Sequence, residues 1–118
     1  RDIYNHFQTR LGNLKQERFI IVILDNKHRF LSETTVTVGL LNRSLVHPRE
    51  VFAEAIEQRA AAIICIHNHP SGDSSPSEED KRITRRLQES GELLGITLLD
   101  HIIISKEDFT NFADEGWL

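Results

Sequence analysis

At 118 residues the chain is long enough to bury one core without disulfides or other staples, and a single domain is expected. Its hydrophobic share of 39% and charged share of 27% are those of a globular protein in water, and its apolar runs are too short for a bilayer, which predicts no membrane span. With 18 acidic side chains against 14 Lys and Arg, a net charge of -4, the overall field repels nucleic acid, and any DNA contact would require a local basic patch.

The chain opens on Arg1 in place of Met, with no charged-then-apolar leader, and is expected to be a fragment of a larger protein. Ile3, Phe7, Leu11 and Leu14 recur three or four residues apart, predicting a helix from Asp2 to Leu14 that weakens at Gly12 and Asn13. The run Phe19 to Leu24, rich in Ile and Val, is expected as a buried strand that turns at Asp25-Asn26-Lys27. A second strand is expected from Arg29 to Ser32 and a third from Thr34 to Leu40, where Val36 and Val38 alternate with threonines. After a polar connection from Asn42 to His47, Pro48 suits the first turn of a helix. Val51, Phe52, Ala55 and Ile56 give that helix an apolar stripe, and it should end near Arg59.

Ala60 to Ile66 is expected as another apolar strand. Its Cys65 cannot pair within the chain, which predicts a buried thiol in a reducing cytoplasm. The loop His69 to Pro76 is too rich in Pro, Ser and Gly for regular structure. Ser77 then reads as an N-cap, followed by the helical pattern of Ile83 and Leu87 and an expected end at Gly91. A last strand is expected from Leu98 to Ile104. Interleaved helices and strands with an early hairpin predict an α/β domain whose mixed sheet is flanked by helices. Gly91 and Gly95 lack the third glycine and the lysine of a phosphate-binding loop.

Alternation along the strand puts Ile63, Cys65, His67 and His69 on one face if the extended geometry continues through Asn68. Cα atoms two residues apart in a strand are roughly 6.6 Å apart, so two rings can converge on one ion at about 2.0 to 2.1 Å from each nitrogen. A third ligand has to come from another element, and Asp80, one turn after Ser77 at the helix mouth, is the natural candidate. Three protein ligands leave a fourth position for water, which is the catalytic pattern. Each residue alone has a plainer role: loop histidines, a cap at Ser77, a first-turn acid at Asp80. Packing needs alone do not readily produce the combination. Structural zinc would call for four ligands, often cysteines, and Cys65 is expected as packing beneath the site. Lys81, Arg82, Arg85 and Arg86 stand among acids and are expected to form a solvated face.

The stretch His67-Asn68-His69-Pro70-Ser71-Gly72, followed by Pro76-Ser77-Glu78-Glu79-Asp80, resembles the H-x-H, seven residues, S-x-x-D signature of the JAMM (MPN-plus) metallohydrolases. Its wording, with Val46-His47-Pro48-Arg49-Glu50 upstream and Asp100-His101 downstream, is similar to the RadC branch in particular. The resemblance implies a cytidine-deaminase-like three-layer fold, one Zn2+ per chain on His67, His69 and Asp80, and a Ser77 hydrogen-bonding near the metal water. It also implies a general base just before the first long strand, a position that Glu17 matches. From the residues alone Glu17 is a solvated acid in the charged connection Lys15 to Arg18. Glu50 is its rival, although beside Pro48 its simplest role is that of a first-turn acid facing the helix dipole. Asp100 and His101 either orient a ligand histidine or form a polar strand end. RadC-like proteins also carry an N-terminal region resembling a helix-hairpin-helix module, which is expected to lie outside these residues.

The activity implied is hydrolysis of a peptide or isopeptide bond, on an unknown peptide or protein substrate, in the cytoplasm. The competing class is a non-catalytic, zinc-containing interaction module of a RadC-type protein associated with DNA repair. The charge balance predicts that this domain does not bind DNA by itself.

Overall fold

The computed structural model describes residues 2–38 and 46–118. In chain order they form α1 (Asp2–Leu11), β1 (Arg18–Leu24), β2 (Phe30–Val38), α2 (Pro48–Glu57), β3 (Ala62–Asn68), α3 (Glu78–Leu94), β4 (Thr97–Ile104) and β5 (Phe109–Asn111). Leu40 and most of the expected connection from Asn42 to His47 lie outside the described residues.

The two most apolar runs make the centre of the sheet. β1 and β3 pair antiparallel, with Phe19 opposite His67 and Leu24 opposite Ala62, and every residue of β3 is buried. Strands covered on both faces have no polar side to alternate with, so their sequences are continuous in Ile and Val. β2 lies outside β1, β4 runs parallel to β3, and β5 follows β4, giving the order β2-β1-β3-β4-β5. The parallel pair is joined through α3, because parallel neighbours need a crossover.

Helices cover both faces. Ile21, Ile23, Ile63 and Cys65 share a core with Phe52 of α2 and Leu87 of α3. On the opposite side Ile20, Val22, Ile64 and Ile66 pack with Phe7 and Leu11 of α1. The architecture is therefore the expected α/β domain: a mixed sheet flanked by helices, in three layers. No described helix is long and apolar enough to cross a membrane.

Element ends differ from expectation for local reasons. α1 stops at Leu11 and not at Leu14, because Gly12 and Asn13 form a turn. The two strands expected around Glu33 are one, β2, and Glu33 meets the Arg10 guanidinium with both oxygens at 2.8 Å. β3 starts two residues late and runs to Asn68, past the expected end at Ile66. α3 passes Gly91 and ends at Leu94, capped by Gly95 in the left-handed region at φ 75°. Gly91 serves close packing instead, since a Cβ there would stand 2.3 Å from the Ile96 carbonyl oxygen. β5, three residues long, is too short to leave a pattern in the sequence.

Candidate metal centre

The C-terminal end of β3 delivers both histidines to one place. His69 lies just past the strand, but its N–H donates to the Ile104 carbonyl at 2.8 Å, which prolongs the pairing with β4. Extended geometry therefore persists through Asn68, and the two rings meet edge to face with centroids 4.7 Å apart. His69 Nδ1 lies 2.9 Å from the Asp73 carbonyl oxygen. A carbonyl only accepts, so Nδ1 carries the hydrogen and Nε2 faces inward, 3.2 Å from Asp80 Oδ2.

Asp80 is held by the helix that it opens. Ser77 is the N-cap of α3, and its hydroxyl accepts from the Asp80 N–H at 3.0 Å, while Asp80 Oδ2 accepts from the Ser77 N–H at 2.8 Å. This reciprocal pair satisfies two otherwise orphaned donors and contributes about 1 kcal/mol to helix stability. The plain capping roles of Ser77 and Asp80 are therefore real, and they coexist with a carboxylate aimed at the histidines.

His67 is the anomaly. It is 1% exposed, and neither ring nitrogen has a hydrogen-bond partner among the described residues. Leaving a buried polar group unpaired costs about 1 to 3 kcal/mol. Carboxylate oxygens nonetheless stand 3.7 Å from each nitrogen, Glu17 beside Nε2 and Asp80 beside Nδ1. Two overlapping donor sets thus share the histidines. Ligand atoms of Glu17, His67 and His69 all lie within 4.8 Å of one another, slightly wider than the roughly 4 Å limit for two atoms each bound to one ion. Asp80 closes the other side. A buried imidazole without hydrogen bonds, among nitrogen and carboxylate donors, fits a divalent cation.

The electrostatics agree. Burial pushes the Asp80 carboxyl up, but the hydrogen bond with His69, the nearby His67 and the Ser77 N–H outweigh it and hold Asp80 well below the usual carboxylate range. Burial likewise pushes His69 down, yet the contacts with Asp80 and the Asp73 carbonyl leave it above its ordinary value. An open cleft of 360 Å³ leads to the site, lined by Glu17, His69, Ser77 and Asp80 among others.

A model of the RadC-like JAB domain matches residues 1–117. The chain belongs to the RadC-like JAB domain family. It is similar to a UPF0758 protein of Syntrophotalea carbinolica, 52% identical over 98% of this chain and 51% of the relative. A UPF0758 protein of Bacillus licheniformis is 50% identical over 99% of this chain and 52% of the relative. One from Methanospirillum hungatei is 54% identical over 93% and 49%. The chain spans about half the length of the curated relatives it matches.

Other candidates of this JAB domain lie elsewhere. Glu50 is exposed in the first turn of α2, 3.8 Å from Arg49. His47 caps α2 through Nδ1, which accepts from the Arg49 N–H at 3.0 Å. Cys65 is fully buried in the core, and burial pushes its thiol far up. Asp100 and His101 do not hydrogen-bond to a candidate ligand: Asp100 accepts from the His101 and Ala113 N–H groups and from Asn111, while His101 Nδ1 meets Thr84 Oγ1 at 2.6 Å. Of the four basic residues on α3, Arg82, Arg85 and Arg86 are exposed, whereas Lys81 lies 4.5 Å from the centre of the Trp117 ring. The sequence reading missed Thr84 and Asn68. Asn68 did carry a signal, as an amide at the end of a strand where every other position but His67 is apolar.

Proposed function

We propose that this domain is a zinc-dependent hydrolase of the JAMM type, cleaving a peptide or isopeptide bond with one zinc ion per chain. The observation that carries this reading is His67, buried with neither ring nitrogen hydrogen-bonded among the described residues and a carboxylate 3.7 Å from each. Membership of the RadC-like JAB family supports it.

His67, His69 and Asp80 would hold the ion. Asp80 is the better third ligand because its carboxylate is 4% exposed and fixed by the α3 cap, whereas Glu17 is 22% exposed and faces the cleft. When bound, zinc lowers the pKa of a water to about 7 and polarises a carbonyl. Glu17, whose carboxylate stands 3.7 Å from His67 Nε2, would take a proton from the attacking water and pass it to the leaving amine. Ser77 accepts the Asp80 N–H, so its own hydrogen is left to donate to the developing oxyanion. The domain acts in the cytoplasm, where its single cysteine stays reduced, and does not bind duplex DNA by itself.

Elemental analysis tests the ligand set. The purified domain should carry one zinc, and folded His67→Ala and His69→Ala proteins should lose it. Full zinc in both variants would sink the assignment. DNA titration at several salt concentrations tests the competing class: submicromolar, steeply salt-dependent binding would favour a nucleic-acid module.

A further inference from the structure

Asn68 lies between the two histidines, buried and directed to the opposite side of β3 by strand alternation. β1 and β3 pair in register from Leu24 and Ala62 up to Phe19 and His67, and the ladder ends there. Just beyond it, the Asn68 side chain takes over from backbone pairing. Its Oδ1 accepts from the Arg18 N–H at 2.6 Å, and its Nδ2 donates to the Gln16 carbonyl at 3.0 Å. The residue between these two anchored groups is Glu17, whose carboxylate stands 3.7 Å from His67 Nε2. Anchoring the chain on both sides of one residue fixes its Cα and leaves only its side-chain rotamers to vary.

We propose that Asn68 is a positioning residue: its amide clamps the backbone on either side of Glu17 and thereby sets the Glu17 carboxylate beside the metal ligands. This rests on the reading of the histidine cluster as a zinc site. An amide carries its acceptor and its donor on separate atoms, so one side chain meets the Arg18 N–H and the Gln16 carbonyl at once. An apolar side chain, the usual occupant of a buried strand, would leave the Arg18 N–H and the Gln16 carbonyl without these partners. The two-histidine motif then has two working sides: His67 and His69 face the ion, and the residue between them holds the general base.

A double-mutant cycle on zinc affinity separates positioning from simple support. Asn68→Leu matches the shape of the amide but removes both hydrogen bonds, and Glu17→Gln removes the carboxylate charge. Each single variant should bind zinc about tenfold more weakly, the usual effect of losing a group that tunes a ligand sphere. The double variant should bind no more weakly than Glu17→Gln alone, because the misplaced side chain has already lost its function. Losses that multiply in the double variant would mean that Asn68 only props the strand, and would overturn the proposal. Asn68→Ser keeps a small polar group and carries the same cycle if Asn68→Leu fails to fold. A parent protein that takes up no zinc would instead sink the metal reading. Asn68 would then be judged by NMR on the metal-free protein. There Asn68→Ser has to lengthen the distance from the Glu17 side chain to the His67 ring, and an unchanged distance overturns the proposal.

Discussion

Two buried histidines on neighbouring strands show opposite ways of housing an imidazole. His101 of β4 is fully buried, meets the Thr84 hydroxyl at 2.6 Å, stacks on Phe112 and takes Phe19 edge-on. Burial, helped by His67 nearby, holds it well below the ordinary imidazole value, so it is a neutral core residue with one nitrogen satisfied. His67 of β3 is as deeply buried, with ring centroids 5.9 Å apart. Its ring has two carboxylates in place of the hydroxyl and no hydrogen bond among the described residues. The first environment stabilises a neutral ring, whereas the second sets a carboxylate 3.7 Å from each ring nitrogen, an arrangement suited to a cation.

The sharpest way to test the contrast is Glu17→Gln, which keeps shape and hydrogen-bonding reach but cannot accept a proton at neutral pH. With a substrate found by screening peptides and isopeptide-linked conjugates, hydrolysis should fall by about two to four orders of magnitude. Thermal stability should stay near that of the parent, and zinc should still load when supplied in excess. A variant as active as its parent would move the role to another group, Glu50 first.

Thr84→Val tests the other environment. It leaves His101 Nδ1 buried without its partner, so urea unfolding should show a loss of about 1 to 3 kcal/mol, while zinc stoichiometry stays unchanged. Loss of zinc at full stability would show that the His101 corner belongs to the metal centre after all.

The smallest effect concerns pH. In metal-free protein the raised His69 contributes stability that is fully present below its unfolded value near 6.5 and is lost as pH rises through the folded value. Unfolding midpoints in chelator should therefore drift downward as pH rises above about 6.5. The drift should shrink in Asp80→Asn, which removes the largest raising contact but leaves the Asp73 carbonyl in place, and an undiminished drift there would assign it to another group.

Much of this was legible in the sequence because periodicity and spacing are local. The apolar runs of β1 and β3 foretold the two-sided burial, and the Ser-x-x-Asp start of α3 foretold both the cap and the approach of a carboxylate to the histidines. What remained hidden depends on partners distant in sequence. Gly91 looks like a helix terminator until the close approach of Ile96 is known. Thr84 looks like an ordinary helix residue until His101 is seen against it. Glu17 is one charge in a charged connection, singled out only through the family resemblance, and the antiparallel register of β1 against β3 is what brings it beside His67.

The double use of Asp80 has a consequence for how the proposed zinc would be taken up. The hydrogen bonds that fix its carboxylate, to the Ser77 N–H and to His69, come from the chain itself, so the shape of the helix mouth does not depend on an ion. On the zinc reading, an incoming ion would shed water and replace the contact between Asp80 and His69, with no folding step. Ions can exchange on a finished scaffold, and chelation should empty the site without unfolding the domain.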